Sequence, residues 1–148
     1  MGLTARPVGS VTLTKRQVES AGVDFLGNPV YDKEIAFKLI SDAKYSNGVL
    51  FIDELNKKGE SLSYFLKRIK FTPKKIVFAD DKRTHSENMD LEMGKLGIPF
   101  VGFQYTRTYE RAKHLDFSLS DIQLEHLGKM LPDYMAKILQ EYATRSDK

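Results

Sequence analysis

The sequence contains no cysteine among its 148 residues. Disulfides, thiolate metal sites and a cysteine nucleophile are therefore excluded. Long apolar runs are also missing: no segment approaches the roughly 20 residues that a membrane-spanning helix needs, so a membrane partner is not expected. The first residues contain no apolar region typical of a signal peptide, and the expected location is therefore cytoplasmic.

The chain has no strong charge of either sign. Twenty-three basic and 20 acidic side chains leave a net charge of +3. The basic residues are scattered among acids and form no stripe interleaved with aromatics, so nucleic acid is not an expected partner. A chain of this length can bury a hydrophobic core without disulfides or metals, and we expect a single domain over residues 1–148.

An apolar run of strand length, Ile76 to Ala79, ends abruptly on Asp80 and Asp81. In an open parallel sheet, ligands bind outside the carboxyl ends of the strands. Two adjacent carboxylates repel each other unless a cation lies nearby, so the pair favours a hard metal such as Mg²⁺. The alternative is an acidic approach to the next helix, for which Thr84 and Glu87 form a possible capping box.

Periodicity and turn residues predict the other elements before this strand. A helix is expected from Thr14 to Ala21, with Thr14 at its start and Gly22 as its stop. Asn47-Gly48 lies between the apolar runs 35–40 and 49–52, which predicts a hairpin. A clearer helix opens near Lys58, because its apolar residues recur at the spacing of one buried face: Leu62, Phe65, Leu66 and Ile69.

After the acidic pair, Met89, Met93 and Leu96 predict another helix that Gly97 terminates. A short strand follows over residues 98–103. Two helical pieces are expected in the tail, one with Leu124, Leu127 and Leu131 on one face and one with Met135, Ile138, Leu139 and Tyr142. The alternation of helix and strand predicts an α/β fold with a parallel sheet, into which the hairpin is inserted.

Three polar features occur in a suggestive order: Thr4 in Leu3-Thr4-Ala5-Arg6, then Lys58 before Gly59, then Asp80 with Asp81. A hydroxyl group can hold a phosphate oxygen, and an ammonium group can neutralise charge on a phosphate and on a neighbouring carboxylate. An acidic pair can hold Mg²⁺. The set therefore points to phosphoryl chemistry.

Together with Gly97-Ile98-Pro99-Phe100-Val101-Gly102, these features resemble the haloacid dehalogenase (HAD) superfamily, and the closer resemblance is to an uncharacterised bacterial branch of it. The resemblance implies a Rossmann-like three-layer α/β/α fold and a Mg²⁺-dependent phosphatase acting on a small phosphorylated substrate. It also implies that Thr4 binds the phosphoryl group and Lys58 steadies the nucleophile and phosphate. Asp80 and Asp81 would help to bind Mg²⁺.

One part of the superfamily pattern is missing. Its first motif, an Asp-x-Asp pair that supplies the nucleophile and the general acid, should lie upstream of Thr4, and no Asp-x-Asp occurs anywhere in this sequence. We therefore expect a partial domain that begins at the second motif and catalyses little or no hydrolysis, because aspartyl-phosphate chemistry needs that nucleophile. A truncated gene product and a shortened segment of a longer protein both fit this expectation.

Two alternatives stay open. The first is a non-catalytic binding module on the same scaffold, with a protein partner or a second copy covering the sheet edge left incomplete by the missing strand. The second is a receiver-like phospho-acceptor domain, which also uses an acidic pair, a Thr and a Lys. In receivers the acidic pair comes first along the chain, whereas here it follows the other two, so this alternative is the weaker one.

Overall fold

The computed structural model describes residues 1–27, 29–107, 109, 119, 122 and 133–146. It is a mixed α/β structure with these elements: β1 (Gly2–Thr4), a 3-10 turn (Val8–Ser10), α1 (Val11–Ser20), β2 (Ile35–Lys38), β3 (Asp42–Ser46), β4 (Val49–Phe51), α2 (Lys58–Arg68), β5 (Ile76–Asp80), α3 (Arg83–Lys95), β6 (Phe100–Gln104) and α4 (Asp133–Ser146). The chain divides into two compact units, Met1–Tyr105 and Thr106–Lys148. The expectation of an α/β fold is confirmed.

The larger sheet has the strand order β1-β4-β3-β2. Its hairpin turns at Asn47 and Gly48, whose φ angles of 51° and 75° fit the tight turn that Asn-Gly favours. The predicted turn is therefore confirmed, but the run 35–40 is not its first arm. That arm is β3, which pairs with β4 on one side and with β2 on the other. The sequence signal of β3 is weak because only Ala43 and Tyr45 are apolar in it.

Strand directions distinguish the two sheets. In the larger sheet β1 is parallel to β4, whereas the pairs β3–β4 and β2–β3 are antiparallel, so that sheet is mixed. The smaller sheet contains β5 and β6, which are parallel from Ile76 with Phe100 to Asp80 with Gln104. The Rossmann-like three-layer arrangement and the single domain over 1–148 therefore stay predictions.

The core of the first unit lies between the larger sheet and helices α2 and α3. Tyr45 of β3 stacks on Phe65 of α2 with ring centroids 4.6 Å apart. The fully or nearly buried side chains that join them are Leu50, Ile52, Leu62, Leu66, Met89, Met93 and Ile98. The predicted apolar faces of α2 and α3 are thus the ones that pack. Their burial sets the rotation of each helix about its axis and with it the position of its first residue.

Helix starts differ from the predicted ones. The helix α1 begins at Val11 rather than Thr14, because the 3-10 turn leads directly into it, and Thr14 lies buried in its interior. The expected capping box at Thr84 and Glu87 is also wrong. Lys82 precedes α3 and no side chain caps that helix, while the Glu87 carboxylate accepts a hydrogen bond from Nε of Arg83.

Two glycines end helices as predicted, at positive φ angles of 70° for Gly22 and 67° for Gly97. After Gly97 the main-chain N–H of Ile98 donates to the carbonyl of Met93, so Ile98 still belongs to the helix end. For this reason β6 starts at Phe100, two residues later than expected.

In the second unit, α4 contains the predicted stripe of Met135, Ile138, Leu139 and Tyr142. Ala136 is fully buried there, whereas Met135 and Ile138 are exposed. The other predicted stripe, Leu124 with Leu127 and Leu131, lies outside the described residues. None of the helices in the described ranges is long and apolar enough to cross a membrane.

Candidate functional site

The site forms where α2 begins and β5 ends. The Nζ atom of Lys58, the first residue of α2, lies 2.5 Å from Oδ2 of Asp80, the last residue of β5. Their side chains are only 10% and 7% exposed. The ammonium group also lies over the ring of Phe78, 5.8 Å from its centroid. Two of the residues singled out from the sequence, Lys58 and Asp80, are thus in direct contact.

The second oxygen of Asp80 is also occupied. Its Oδ1 accepts the main-chain N–H of Lys82 at 2.9 Å and lies 2.9 Å from Nδ1 of His85. Because an ionised carboxylate only accepts hydrogen bonds, Nδ1 of His85 carries the proton. Burial raises the pKa of the Asp80 carboxyl, but the hydrogen bonds from Lys58, Lys82 and His85 outweigh it and lower the pKa to about 2. Asp80 is therefore a fixed negative charge near neutral pH.

Thr4 is the last residue of β1, at the edge of the larger sheet. Its Oγ1 accepts the main-chain N–H of Arg6 at 3.3 Å, and its carbonyl accepts the N–H of Ile52 at 3.0 Å. The Arg6 guanidinium donates to Thr14 Oγ1 at 3.0 Å and also to Gln17, so it ties the loop after β1 to α1.

Asp81 lies one residue beyond β5 and is exposed, unlike Asp80. Its main-chain carbonyl accepts a hydrogen bond from Nε2 of Gln104, 3.2 Å away, which connects the ends of β5 and β6. The two acids predicted as a pair therefore have different surroundings. The contact with Lys58 is made by Asp80.

An open pocket of about 510 Å³ joins these features. It is lined at the end of β1, at the start of α2 and at the start of α3 by Ala5, Asn56, Lys58, Thr84, His85 and Asn88, among others. The residue that follows Thr4 and the lysine that holds Asp80 thus face one cavity. Of the three polar features, Lys58 and Asp80 are thus in contact, and Ala5, the residue next to Thr4, lines the same pocket as Lys58.

Two asparagines that the sequence did not single out as functional hold this pocket together. Asn56 is buried, accepts the N–H groups of Ile40 and Ser41, and donates to Ser41 and to the carbonyl of Ile52. Asn88 of α3 accepts the N–H of Gly59 at 2.8 Å. No spacing rule finds them, because their partners are distant main-chain groups.

Mg²⁺ was expected at Asp80 and Asp81. Both oxygens of Asp80 already hold hydrogen bonds, and the ammonium of Lys58 occupies the position where a cation would bind Oδ2. Within the described ranges there is also no group of three His, Asp or Glu side chains that could hold a metal ion. Further ligands would therefore be needed to hold the ion, and the Mg²⁺ site stays a prediction.

Comparison with known families adds one finding. The family model described as a protein of unknown function (DUF2608) matches residues 1–137. The chain belongs to the DUF2608 family. No curated protein and no solved structure matches it significantly. The family description names no activity, so the HAD resemblance stays a prediction.

Proposed function

We propose that this chain is a HAD-like phosphatase-type domain that carries the phosphate-binding half of a phosphohydrolase site. The observation that supports it is the buried Lys58–Asp80 pair at the edge of a pocket that Ala5, next to Thr4, also lines. In this proposal the two parallel strand pairs belong to a Rossmann-like layered fold. The chain by itself catalyses little or no hydrolysis, since it contains no Asp-x-Asp nucleophile.

Lys58 can serve a phosphoryl group while it stays paired with Asp80. An ammonium has three N–H donors, and the contact with Asp80 uses one of them. Asp80 holds the ammonium in place, and its own low pKa keeps it ionised. Thr4 can also bind a phosphoryl group. Its Oγ1 accepts a hydrogen bond from the main-chain N–H of Arg6, and the hydroxyl proton can still be donated.

A magnesium ion, when bound, would supply charge neutralisation at the phosphoryl oxygens. Asp80 and Asp81 are the residues expected to hold it, but the hydrogen bonds on Asp80 mean that further ligands are required. We therefore derive no step through the metal. The role proposed for the chain's own residues is to bind and orient a small phosphorylated substrate.

The test compares two adjacent lysines. Phosphate binding is measured by isothermal titration with inorganic phosphate, with and without Mg²⁺, for the parent chain, for Lys58→Met and for Lys57→Met. Lys57 is 67% exposed and pairs with Glu60, so its variant is the matched control. We expect Lys58→Met to abolish the binding and Lys57→Met to preserve it. Equal phosphate binding by both variants would contradict the role of Lys58.

Hydrolysis is tested in a second arm. A strand ending in Asp-x-Asp is joined upstream of Met1, and Mg²⁺-dependent hydrolysis of an aryl phosphate is followed. We expect the extended protein to be active and the parent chain to stay at the blank rate. A folded extended protein that remains inert would contradict the enzyme assignment and favour the second candidate, a non-catalytic binding module.

A further inference from the structure

Positive charge is concentrated between α2 and β5. Over the whole sequence the basic residues are scattered among acids, but residues 61–79 contain five basic side chains and no acidic one. All five lie within residues 67–75, the basic segment, and all are exposed: Lys67, Arg68, Lys70, Lys74 and Lys75. Phe71 stands between them in the sequence and is 45% exposed. The basic segment therefore presents five cations and one apolar ring to solvent.

None of these five cations pairs with an acid in the described part of the chain, where the ion pairs belong to other basic side chains. Two of the five have a local reason for their position. Lys67 and Arg68 lie in the last turn of α2, where positive charge complements the helix dipole. Lys70, Lys74 and Lys75 follow the helix, so the dipole does not account for them.

The end of α2 carries a lysine where glycine would fit more easily. The main-chain N–H groups of Lys70 and Phe71 donate back to carbonyls in the last turn of α2, which is the Schellman pattern. In this pattern Lys70 has a left-handed φ of 55°. The helices α1 and α3 reach the same conformation at Gly22 and Gly97. Since a side chain destabilises this conformation, the lysine points to a use for its charge.

The basic segment is remote from the pocket described above. The helix α2 begins at Lys58 and β5 ends at Asp80, and these two residues are in contact. The basic segment instead begins in the last turn of α2 and runs up to the first residue of β5. The 11 residues of α2 span about 16 Å. A partner that binds the basic segment can therefore leave the pocket open.

The arrangement fits a charged surface better than a single bound chain. Lysine and arginine side chains without fixed partners are flexible, so they impose no register on a polypeptide or a nucleic acid. Proteins that bind single-stranded nucleic acid without base readout use several stacking aromatics along a basic groove, whereas the basic segment contains one aromatic. A bilayer presents many equivalent anionic headgroups and requires no register. Clusters of four to eight basic residues are typical of contacts with such lipids.

We propose that the basic segment binds the surface of a membrane that contains anionic phospholipids, with its five cations at the headgroups and Phe71 at the interface. The sequence predicted no membrane partner because no segment can span a bilayer. A surface contact needs no spanning segment, because charge and a small apolar contribution together can hold a protein there. This proposal goes beyond the phosphate-binding role and does not depend on it.

The test follows the binding of the parent chain to vesicles by co-sedimentation. One set of vesicles contains phosphatidylserine and phosphatidylcholine in about equal parts, and the other contains phosphatidylcholine alone. We expect saturable binding to the first set, which weakens as the salt concentration rises, and no binding to the second. Inorganic phosphate at constant ionic strength should not compete, which distinguishes the lipid surface from the pocket at Lys58.

Two double variants locate the surface. Lys74→Glu combined with Lys75→Glu should lower the vesicle affinity about a hundredfold or more, because each basic residue near an anionic surface contributes about fivefold. Lys15→Glu combined with Lys38→Glu is the matched control, since it changes the net charge equally at two other exposed lysines. The control should lower the affinity no more than about twofold, because charges distant from the contact are screened.

The single variant Lys70→Gly should change stability and binding in opposite directions. Glycine removes the cost of the left-handed conformation, so the thermal unfolding temperature should rise. The vesicle affinity should fall about fivefold with the loss of one cation. A side chain with a structural role alone would not lower the affinity of a more stable protein. Unchanged vesicle affinity would contradict the role given to Lys70.

The remaining outcomes separate the alternatives. Absence of binding to the phosphatidylserine vesicles overturns the proposal. Equal losses in the two double variants overturn the location, because net charge alone would then explain the binding. Tighter binding of polyglutamate or of a single-stranded oligonucleotide than of the vesicles overturns the assignment to lipid. Absence of phosphate binding with intact vesicle binding would contradict the proposed phosphate site and leave the membrane contact supported.

Discussion

The Nζ atom of Lys58 lies 2.5 Å from Oδ2 of Asp80 and joins the first residue of α2 to the last residue of β5. These residues are 22 positions apart in sequence. The pair is nearly enclosed by protein, and Asp80 also accepts hydrogen bonds from His85 and from the main chain of Lys82. Three side chains and one main-chain N–H thus meet at the edge of the pocket, and the three side chains can each be tested by substitution.

We predict that Lys58→Met lowers the free energy of unfolding by about 3 kcal/mol, because removing one partner leaves a buried charge without its counterion. The control is Lys57→Met, whose exposed pair with Glu60 predicts a loss of about 0.5 kcal/mol or less. Urea denaturation followed by circular dichroism measures both. Equal losses of unfolding free energy in the two lysine variants would show that burial of the Lys58–Asp80 pair adds no stability beyond that of an exposed pair.

Stability should fall in acid because of Asp80. Its pKa in the folded protein is about 2, below the ordinary value of 3.8. A lowered pKa stabilises the folded state fully above the unfolded value, and this contribution is lost as the pH falls from about 4 through about 2. The difference corresponds to about 2 kcal/mol. The free energy of unfolding, measured between pH 6 and pH 2, should show this decline.

The variant Asp80→Asn should lose that part of the pH dependence and be less stable at pH 6. Asp42→Asn controls for the change in net charge, since the Asp42 carboxylate is 77% exposed and lies 4.0 Å from Lys38. If Asp80→Asn declines as steeply in acid as the parent protein does, other carboxylates cause the decline.

Gly59 should not tolerate a side chain. A Cβ atom there would lie 2.5 Å from the main-chain oxygen of Asn88, so Gly59→Ala must push α2 and α3 apart. We predict a loss of about 2 kcal/mol or more. Gly94→Ala in α3 is the control, because nothing lies within 4 Å of its Cβ position, and it should stabilise by about 0.5–1 kcal/mol. Thermal unfolding of both variants tests the opposite signs.

Asn56→Ala should cost about 3 kcal/mol, since it leaves the buried carbonyl of Ile52 and the part-buried N–H groups of Ile40 and Ser41 without their partner. Asp24→Ala is the comparison, because Asp24 accepts one hydrogen bond, from Leu26, at an exposed position. Its loss should stay near 0.5 kcal/mol. Chemical denaturation measures the difference, and similar values would contradict the role given to the Asn56 hydrogen bonds.

Strong local patterns predicted much of the fold. The faces of α2 and α3, the strand ending at Asp80, the Asn47-Gly48 turn and the stop at Gly97 follow from spacing and from backbone preferences that act over a few residues. The starts of α1 and α3 were wrong: a 3-10 turn leads directly into α1, and the main-chain N–H of Lys82 before α3 bonds the Asp80 carboxylate. β3 was missed because its sequence pattern is weak. It forms because it pairs with β2 on one side and β4 on the other.

The candidate site was likewise predicted only in part from the sequence. The sequence alone predicted which residues would carry chemistry: a lysine at a helix start, a threonine after a short strand, and acids at a strand end, with no cysteine and no Asp-x-Asp. Only the tertiary structure decided that Lys58 contacts Asp80, that His85 bonds the other oxygen of Asp80, and that Ala5 and Lys58 line one pocket. The physical reason is that burial and main-chain pairing depend on segments far apart in sequence, which local patterns do not encode.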